Sequence, residues 1–256
     1  MPQTLQISDL QFRYDVGQSD VLLVPSVDVN SGEFISLLGA SGSGKSTLLR
    51  LIAGLLQPSG GQIRRPTSAG AQHTTGMVFQ HPNLIPWRTA RQNVRLPAEL
   101  GSRPSKVNDD VLDELFRLVG LKAIDTDKRS SELSGGMQMR VSLARALVLQ
   151  PTTLLMDEPF AALDDLLRMQ LEEDVRTIHI QRSLTTILVT HNISEAVFMS
   201  DRVLVLGGHP STIHADIEIR LPQDRDRRVR SQADFHDLVE RVTEAMHSAA
   251  GTDRTS

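Results

Sequence analysis

From Leu5 to Tyr14 apolar and polar residues alternate, but Leu10, Phe12 and Tyr14 fall one step out of phase with Leu5 and Ile7. A period of two predicts a half-buried strand, and the phase slip predicts a small irregularity within it. Val21 to Val29 repeats the style, and Ser31-Gly32 marks a turn before Glu33-Phe34-Ile35-Ser36-Leu37-Leu38. That short apolar run ends in glycine, as a buried strand feeding a tight loop should. Lys45 to Leu56 then changes to helical spacing, with Leu48, Leu49, Leu51, Ile52 and Leu55 on one side and Pro58-Ser59-Gly60-Gly61 as the closing turn. A further strand, Gly76-Met77-Val78-Phe79, ends at Gln80.

The middle of the chain follows a different period. Between Thr89 and Leu149 helical spacing dominates: Val111, Leu112, Leu115, Leu118 and Val119 form one stripe, and Val141, Leu143, Ala144 and Leu147 another. Strand patterns return at Thr153-Leu154-Leu155-Met156, Thr186-Ile187-Leu188-Val189 and Val203-Leu204-Val205-Leu206, with helices between them. The order predicts an α/β nucleotide-binding core interrupted by a helical insertion. The end is polar and Arg-rich from Gln223 to Arg230, then helical from Ala233 to Ala249. The Arg-rich stretch suits a solvated linker, an anionic-lipid contact or a partner clasp equally well.

Composition narrows the function classes. At 256 residues, with 39% hydrophobic and 23% charged residues, the chain has the make-up of a soluble globular protein with a real core. A net charge of −4 argues against nucleic acid held by bulk charge. No cysteine is present, which excludes disulfides and thiolate metal sites. Met1 to Gln6 lack a basic region leading into an apolar core, so no secretory signal is expected. No apolar run approaches the roughly 20 residues that span a bilayer, so any membrane role is expected to come through a partner.

Two segments carry recognisable chemistry by themselves. Gly39-Ala40-Ser41-Gly42-Ser43-Gly44-Lys45-Ser46 is a complete G-x-x-x-x-G-K-[ST] phosphate loop between strand and helix. Small residues let backbone N–H groups converge on phosphate oxygens at the positive end of the following helix. Lys45 would reach the β- and γ-phosphates of ATP, Ser46 would offer its hydroxyl to Mg²⁺, and Thr47 would contact the α-phosphate. The second segment is the apolar run Thr153 to Met156, which ends in the paired acids Asp157-Glu158 before Pro159. Consecutive strand residues face opposite ways, so Asp157 suits Mg²⁺ and Glu158 suits the general base that polarises the attacking water.

The order of motifs identifies a family. Phosphate loop, Gln80 after a strand, Leu133-Ser134-Gly135-Gly136, Asp157-Glu158-Pro159, Ala162-Leu163-Asp164 and Thr190-His191 together resemble the ATP-binding cassette ATPases from about Tyr14 to Gly207. The Leu-Ser-Gly-Gly element is specific to that superfamily. The resemblance implies an α/β P-loop NTPase (RecA-like) core with an N-terminal antiparallel β subdomain. It also implies an α-helical subdomain inserted at about 84–150, an ATPase domain over 1–222 and a short polar and helical tail over 223–256. Tyr14 falls at the family's adenine-stacking position, although an edge-strand tyrosine would look the same. Gln80 matches the glutamine that contacts Mg²⁺ and the water, and His191 matches the switch histidine at the γ-phosphate. Met137 stands where the family most often has Gln, and Ala161 where a serine is commoner.

Ser134, Gly135 and Gly136 match the signature that contacts ATP bound by the opposite subunit, and Asp164 belongs to the loop that crosses between subunits. A plain N-cap would explain Ser134, but not two glycines that weaken the helix behind it. The resemblance therefore implies a head-to-tail dimer, with a second copy or a homologous ATPase subunit, enclosing two ATP molecules. It further implies transmembrane permease subunits docking near Leu84-Ile85-Pro86-Trp87-Arg88, and indirectly a periplasmic or extracellular solute-binding protein. The expected location is peripheral, on the cytoplasmic face of the cell (inner) membrane. Leu84 to Arg88, Asp157 to Asp164 and Ser194-Glu195-Ala196-Val197 look most like importers of nitrate, sulfonate and taurine. An ABC ATPase that drives cell-wall remodelling is the competing expectation. A DNA-repair or translation-factor relative is disfavoured, since no second cassette, coiled-coil insertion or basic stripe is visible.

Overall fold

The computed structural model describes residues 5–15, 17, 19–65, 75–101 and 107–252, so Met1–Thr4 lie outside the described residues. Strands β1 (Leu5–Phe12), β2 (Leu22–Val29) and β4 (Gly60–Arg64) form an antiparallel sheet in the order β2-β1-β4. The phase slip in β1 is real: Asp9 has φ 49, and the register against β4 shifts between Ser8 and Gln11. That extra residue lets Leu5, Ile7, Leu10 and Phe12 all point into the core.

The second sheet has six strands: β3 (Phe34–Gly39), β5 (Thr75–Val78), β6 (Thr153–Asp157), β7 (Thr185–Val189), β8 (Arg202–Gly207) and β9 (Thr212–Glu218). Their order is β5-β6-β7-β3-β8-β9, parallel except for β9. Alternate residues of its central strands feed two separate cores. Phe34, Leu38, Leu154, Met156, Leu188, Val203 and Val205 face one. Ile35, Leu37, Leu155, Ile187, Val189, Leu204 and Leu206 face the other, which also holds α1 (Lys45–Ala53) and the inner face of the three-stranded sheet. Continuous apolar runs arise because both faces are covered.

Helices α2 (Ala90–Leu100), α3 (Asp109–Leu118) and α4 (Gly135–Leu147) lie between β5 and β6 in sequence and supply Val94, Leu112, Phe116 and Val141 to the first core. They begin at side-chain caps from Thr89, Asn108 and Ser134. The remaining helices, α5 (Asp165–Arg182), α6 (Ile193–Met199) and α7 (Ala233–Thr252), line that same core.

Three departures from the sequence reading have local causes. Helix α1 stops at Ala53 rather than Leu56, because Gly54 adopts φ 75 and its N–H closes the last turn onto Leu51. The expected turn around Gly60-Gly61 instead opens β4, whose residues barely alternate. The Arg-rich segment is no free linker: Arg225 is 5% exposed and donates to the carbonyls of Val197, Phe198 and Ser200. Phe235, Val242 and Ala249 of α7 are buried in the same core, so the tail is packed against the molecule rather than trailing from it.

Candidate functional site

Strands β6, β7 and β3 are neighbours, and their carboxyl ends open into one crevice, where α/β sheets of this kind bind ligands. The phosphate loop leaves β3 there. Gly44 has φ 77, and a Cβ on it would stand 2.6 Å from Leu22 Cδ2, so only glycine suits this position. No side chain caps the start of α1, and the Ser43 hydroxyl is buried without a hydrogen-bond partner. An uncapped helix start beside an orphaned hydroxyl is a fit for an anion such as a phosphate.

Lys45 is buried at the loop's base. Its Nζ donates to the Gly39 and Ala40 carbonyls at 2.9 and 2.8 Å. Burial pulls its pKa below the ordinary lysine value, and the carboxylates of Glu158 and Asp157 oppose that pull. Ser46 Oγ donates to Asp157 Oδ1 at 2.7 Å, which joins the loop to the end of β6. A hydroxyl and a carboxylate side by side form an oxygen donor set suited to Mg²⁺ held jointly with phosphates.

Glu158 lies one residue beyond β6, with φ 47 and its N–H bonded to the Val189 carbonyl at 2.9 Å. This turn sends its carboxyl away from Asp157 and toward His191, whose Nδ1 lies 3.2 Å from Glu158 Oε2. Tyr14, about half exposed, shares a 2.8 Å hydrogen bond between its hydroxyl and Thr47 Oγ1, and its ring meets Phe12 edge-on at 5.0 Å. The open ring face beside the loop can stack on a flat base.

These groups border one cleft of about 450 Å³, with Ser41, Gly42, Gly44, Lys45, Ser46 and Thr47 from the loop, Tyr14 and Val21 at one side, and Glu158 and His191 at the other. Val21 was not read from the sequence as a site residue; an apolar side chain at the start of a strand carries no chemical signal. Gly39, Ala40 and Ser43 do not line the cleft; the Gly39 and Ala40 carbonyls hold Lys45, and Asp157 meets it through Ser46.

Five expected residues stand elsewhere. Gln80 is exposed and does not border the cleft. Ser134 caps α4 by accepting from Met137 N at 3.3 Å, and it and Gly135 are exposed. Gly136 is buried where a Cβ would stand 2.4 Å from Leu167 Cδ2 of α5. Asp164 caps α5 by accepting from Leu167 N at 3.0 Å. None of Ser134, Gly135, Gly136 and Asp164 borders the cleft of its own chain. Met137 is half-buried against the first core, an environment for a thioether rather than for an amide.

One organising residue escaped the sequence reading. Asn93 is fully buried; its Oδ1 accepts from Ile85 N at 2.7 Å, and its Nδ2 donates to the carbonyls of Ile85, Arg88 and Thr89. This pins the 84–88 segment so that Trp87 is 74% exposed. A lone Asn inside a helical pattern offers no signal of such a role.

Comparisons with known proteins agree with the geometry. A sequence profile of the ABC transporter family matches residues 23–161. The aliphatic sulfonates import ATP-binding protein SsuB 1 of Pseudomonas syringae pv. syringae is 39% identical over 228 residues, covering 89% of this chain and 91% of that protein. The nitrate import ATP-binding protein NrtC of Synechococcus elongatus is 44% identical over 218 residues, or 82% of this chain. The match covers 33% of NrtC, so the chain spans about a third of that relative's length. Among solved structures, the dimeric post-hydrolysis state of the ATP-binding cassette MJ0796 bound to ADP and Pi matches with a TM-score of 0.73 at 28% identity. That match covers 85% of this chain and 100% of the other.

Proposed function

The chain belongs to the ABC transporter family of ATPases, and from that premise we propose that it is the ATP-hydrolysing subunit of an importer for a small solute of the nitrate, sulfonate or taurine type. It works as a head-to-tail pair, with a second copy or a homologous ATPase subunit, on the cytoplasmic face of the membrane. Separate transmembrane permease subunits dock near Leu84–Arg88, and a solute-binding protein delivers cargo to them. Among the described residues no helix is long and apolar enough to cross a membrane, which supports the division of labour. The 74% exposure of Trp87 on a segment held by Asn93 supports the docking position. An exposed aromatic on a braced loop is a common anchor for a partner.

One observation carries the catalytic reading: Lys45, the Ser46–Asp157 pair and the Glu158–His191 pair meet at one cleft, while the second glycine motif stands outside it. Mg²⁺, when bound, would supply neutralisation of phosphate charge. The chain's own part is to hold, orient and move a proton. Lys45 and the start of α1 bind the phosphates, and Tyr14 stacks on the base. Ser46 and Asp157 would hold the cation by their oxygens, joined by Gln80 once it is brought in from outside the cleft. Glu158 accepts the proton of the attacking water, and His191 orients it against the γ-phosphate. Ser134, Gly135 and Gly136 act on ATP held by the second copy, and Asp164 lies where the copies meet. Each pocket is complete only when the pair closes.

The test is co-purification of the chain with its membrane subunits, reconstitution into vesicles and measurement of ATP turnover as single solutes are added. Turnover should rise with one small anionic or zwitterionic solute and be accompanied by uptake. Turnover that proceeds unchanged by every solute and moves none would overturn the importer reading.

A further inference from the structure

Helix α6 begins immediately after the switch histidine, and the C-terminal segment grips it at both ends. Asn192 caps α6 through Oδ1, accepting from Glu195 N at 3.1 Å, and Asn192 N donates to Thr190 Oγ1 at 3.0 Å. The Thr190 hydroxyl also faces the Glu195 carboxyl. His191 is thus held between two residues tied to the first turn of α6. At the helix's other end, Arg225 satisfies the carbonyls of Val197, Phe198 and Ser200.

The first turn would be poorly fixed without Arg230. Glu195 is 4% exposed and faces Glu172 of α5, which is 2% exposed. Burial, reinforced by Glu172, pushes Glu195 up to about 8, so near neutrality it keeps its proton. Glu172, Arg168 and Arg230 are the charged groups that act on it, and Glu173 acts in turn on Glu172. Arg230 enters from the short helical turn before α7. One guanidinium nitrogen donates to Glu172 Oε2, another donates to Ser194 Oγ at 2.8 Å, and the group lies 4.2 Å from the centre of the Phe198 ring. A planar fork that pairs a buried acid on one helix and a hydroxyl on the next is a task for arginine rather than lysine. Arg230 does not border the nucleotide cleft.

We propose that Arg230 is a positioning residue for ATP hydrolysis: by bridging Glu172 to Ser194 it fixes the first turn of α6, and through that turn the aim of His191 at Glu158. The inference rests on the role given to His191 under the proposed function. It places a contribution to catalysis in the C-terminal segment, beyond residues 23–161 that the family profile matches.

Turnover and nucleotide binding of the full-length protein, assembled with its partners, test this with Arg230→Met, Ser194→Ala, His191→Ala and the double variant Arg230→Met/His191→Ala. Arg230→Met should lower kcat about tenfold or more, as misplacement of a catalytic group does, with KM and Kd for ATP within about twofold of wild type. Ser194→Ala leaves every buried charge paired and should lower kcat in the same direction by a smaller factor, which keeps the test decisive if Arg230→Met fails to fold. In the His191→Ala background Arg230→Met should cause no further loss. Multiplying losses, an unchanged kcat in Ser194→Ala, or a fall in ATP affinity matching the fall in kcat would each overturn the proposal. Wild-type turnover in His191→Ala alone would instead remove the role given to His191, and this inference with it.

Discussion

Glu158 holds a left-handed backbone conformation, φ 47, which costs a non-glycine residue about 1–3 kcal/mol and persists only where its surroundings enforce it. The enforcement is visible in the hydrogen bond from its N–H to Val189, the last residue of the adjacent strand. The strained turn separates two consecutive acids, so that Asp157 meets Ser46 while Glu158 meets His191. If Glu158 is the general base, Glu158→Gln should keep ATP binding and lose hydrolysis by at least about 10²-fold, the usual contribution of such a group. Phosphate release from the purified variant, assembled with its partner, checks this; a rate near wild type would remove Glu158 from the chemistry.

Helices show how much of this molecule depends on caps and clamps rather than on propensity. Helices α4 and α5 start at Ser134 and Asp164, so two residues expected to serve the neighbouring subunit also serve their own chain's backbone. Helix α6, only seven residues long, relies on Asn192 at one end and Arg225 at the other. Its buried Glu195 makes stability depend on pH in a definite direction. The folded-state pKa of about 8 lies above the ordinary carboxylate value, so the proton favours the folded chain. That contribution is intact below the ordinary value of 4.5 and is lost as pH rises through about 8. Glu195→Gln copies the protonated acid and removes the loss. The melting temperature of the variant relative to wild type should therefore climb between about pH 5 and about pH 8. A difference that stays level, or falls, over that range would show that Glu195 ionises at least as easily in the folded chain as in the unfolded one.

At the scale of the whole molecule the residues proposed to meet a second copy lie on the surface, outside the chain's own cleft. The signature helix start is exposed, and so is Leu166, 82% exposed just past Asp164. Ser134→Arg puts a large cation into that surface without touching the cleft of its own chain. It should leave ATP binding by the single protomer intact while abolishing ATP-dependent dimerisation in sedimentation or light scattering. Dimers that still form on ATP would contradict the cross-subunit role of Ser134.

What the sequence determined by itself was whatever short-range chemistry specifies. The phosphate loop is contiguous, so its strand, turn and helix start could be read from eight residues, and the order of motifs pointed to the family to which the chain belongs. Both buried sheet faces were legible too, because continuous apolar runs have one ready explanation in an α/β fold. Only the tertiary structure decided what depends on partners far along the chain. Edge strand β4 carries too little alternation to announce itself, and its pairing with β1 defines it. Asn93 and Val21 acquire their places from loops folded around them. The arginines at 225 and 230 suited a solvated linker, a lipid contact or a partner clasp alike until burial against α6 and Glu172 gave each a definite partner. Charge in a sequence has no address, because Coulomb and desolvation energies depend on which groups the fold brings within a few ångströms.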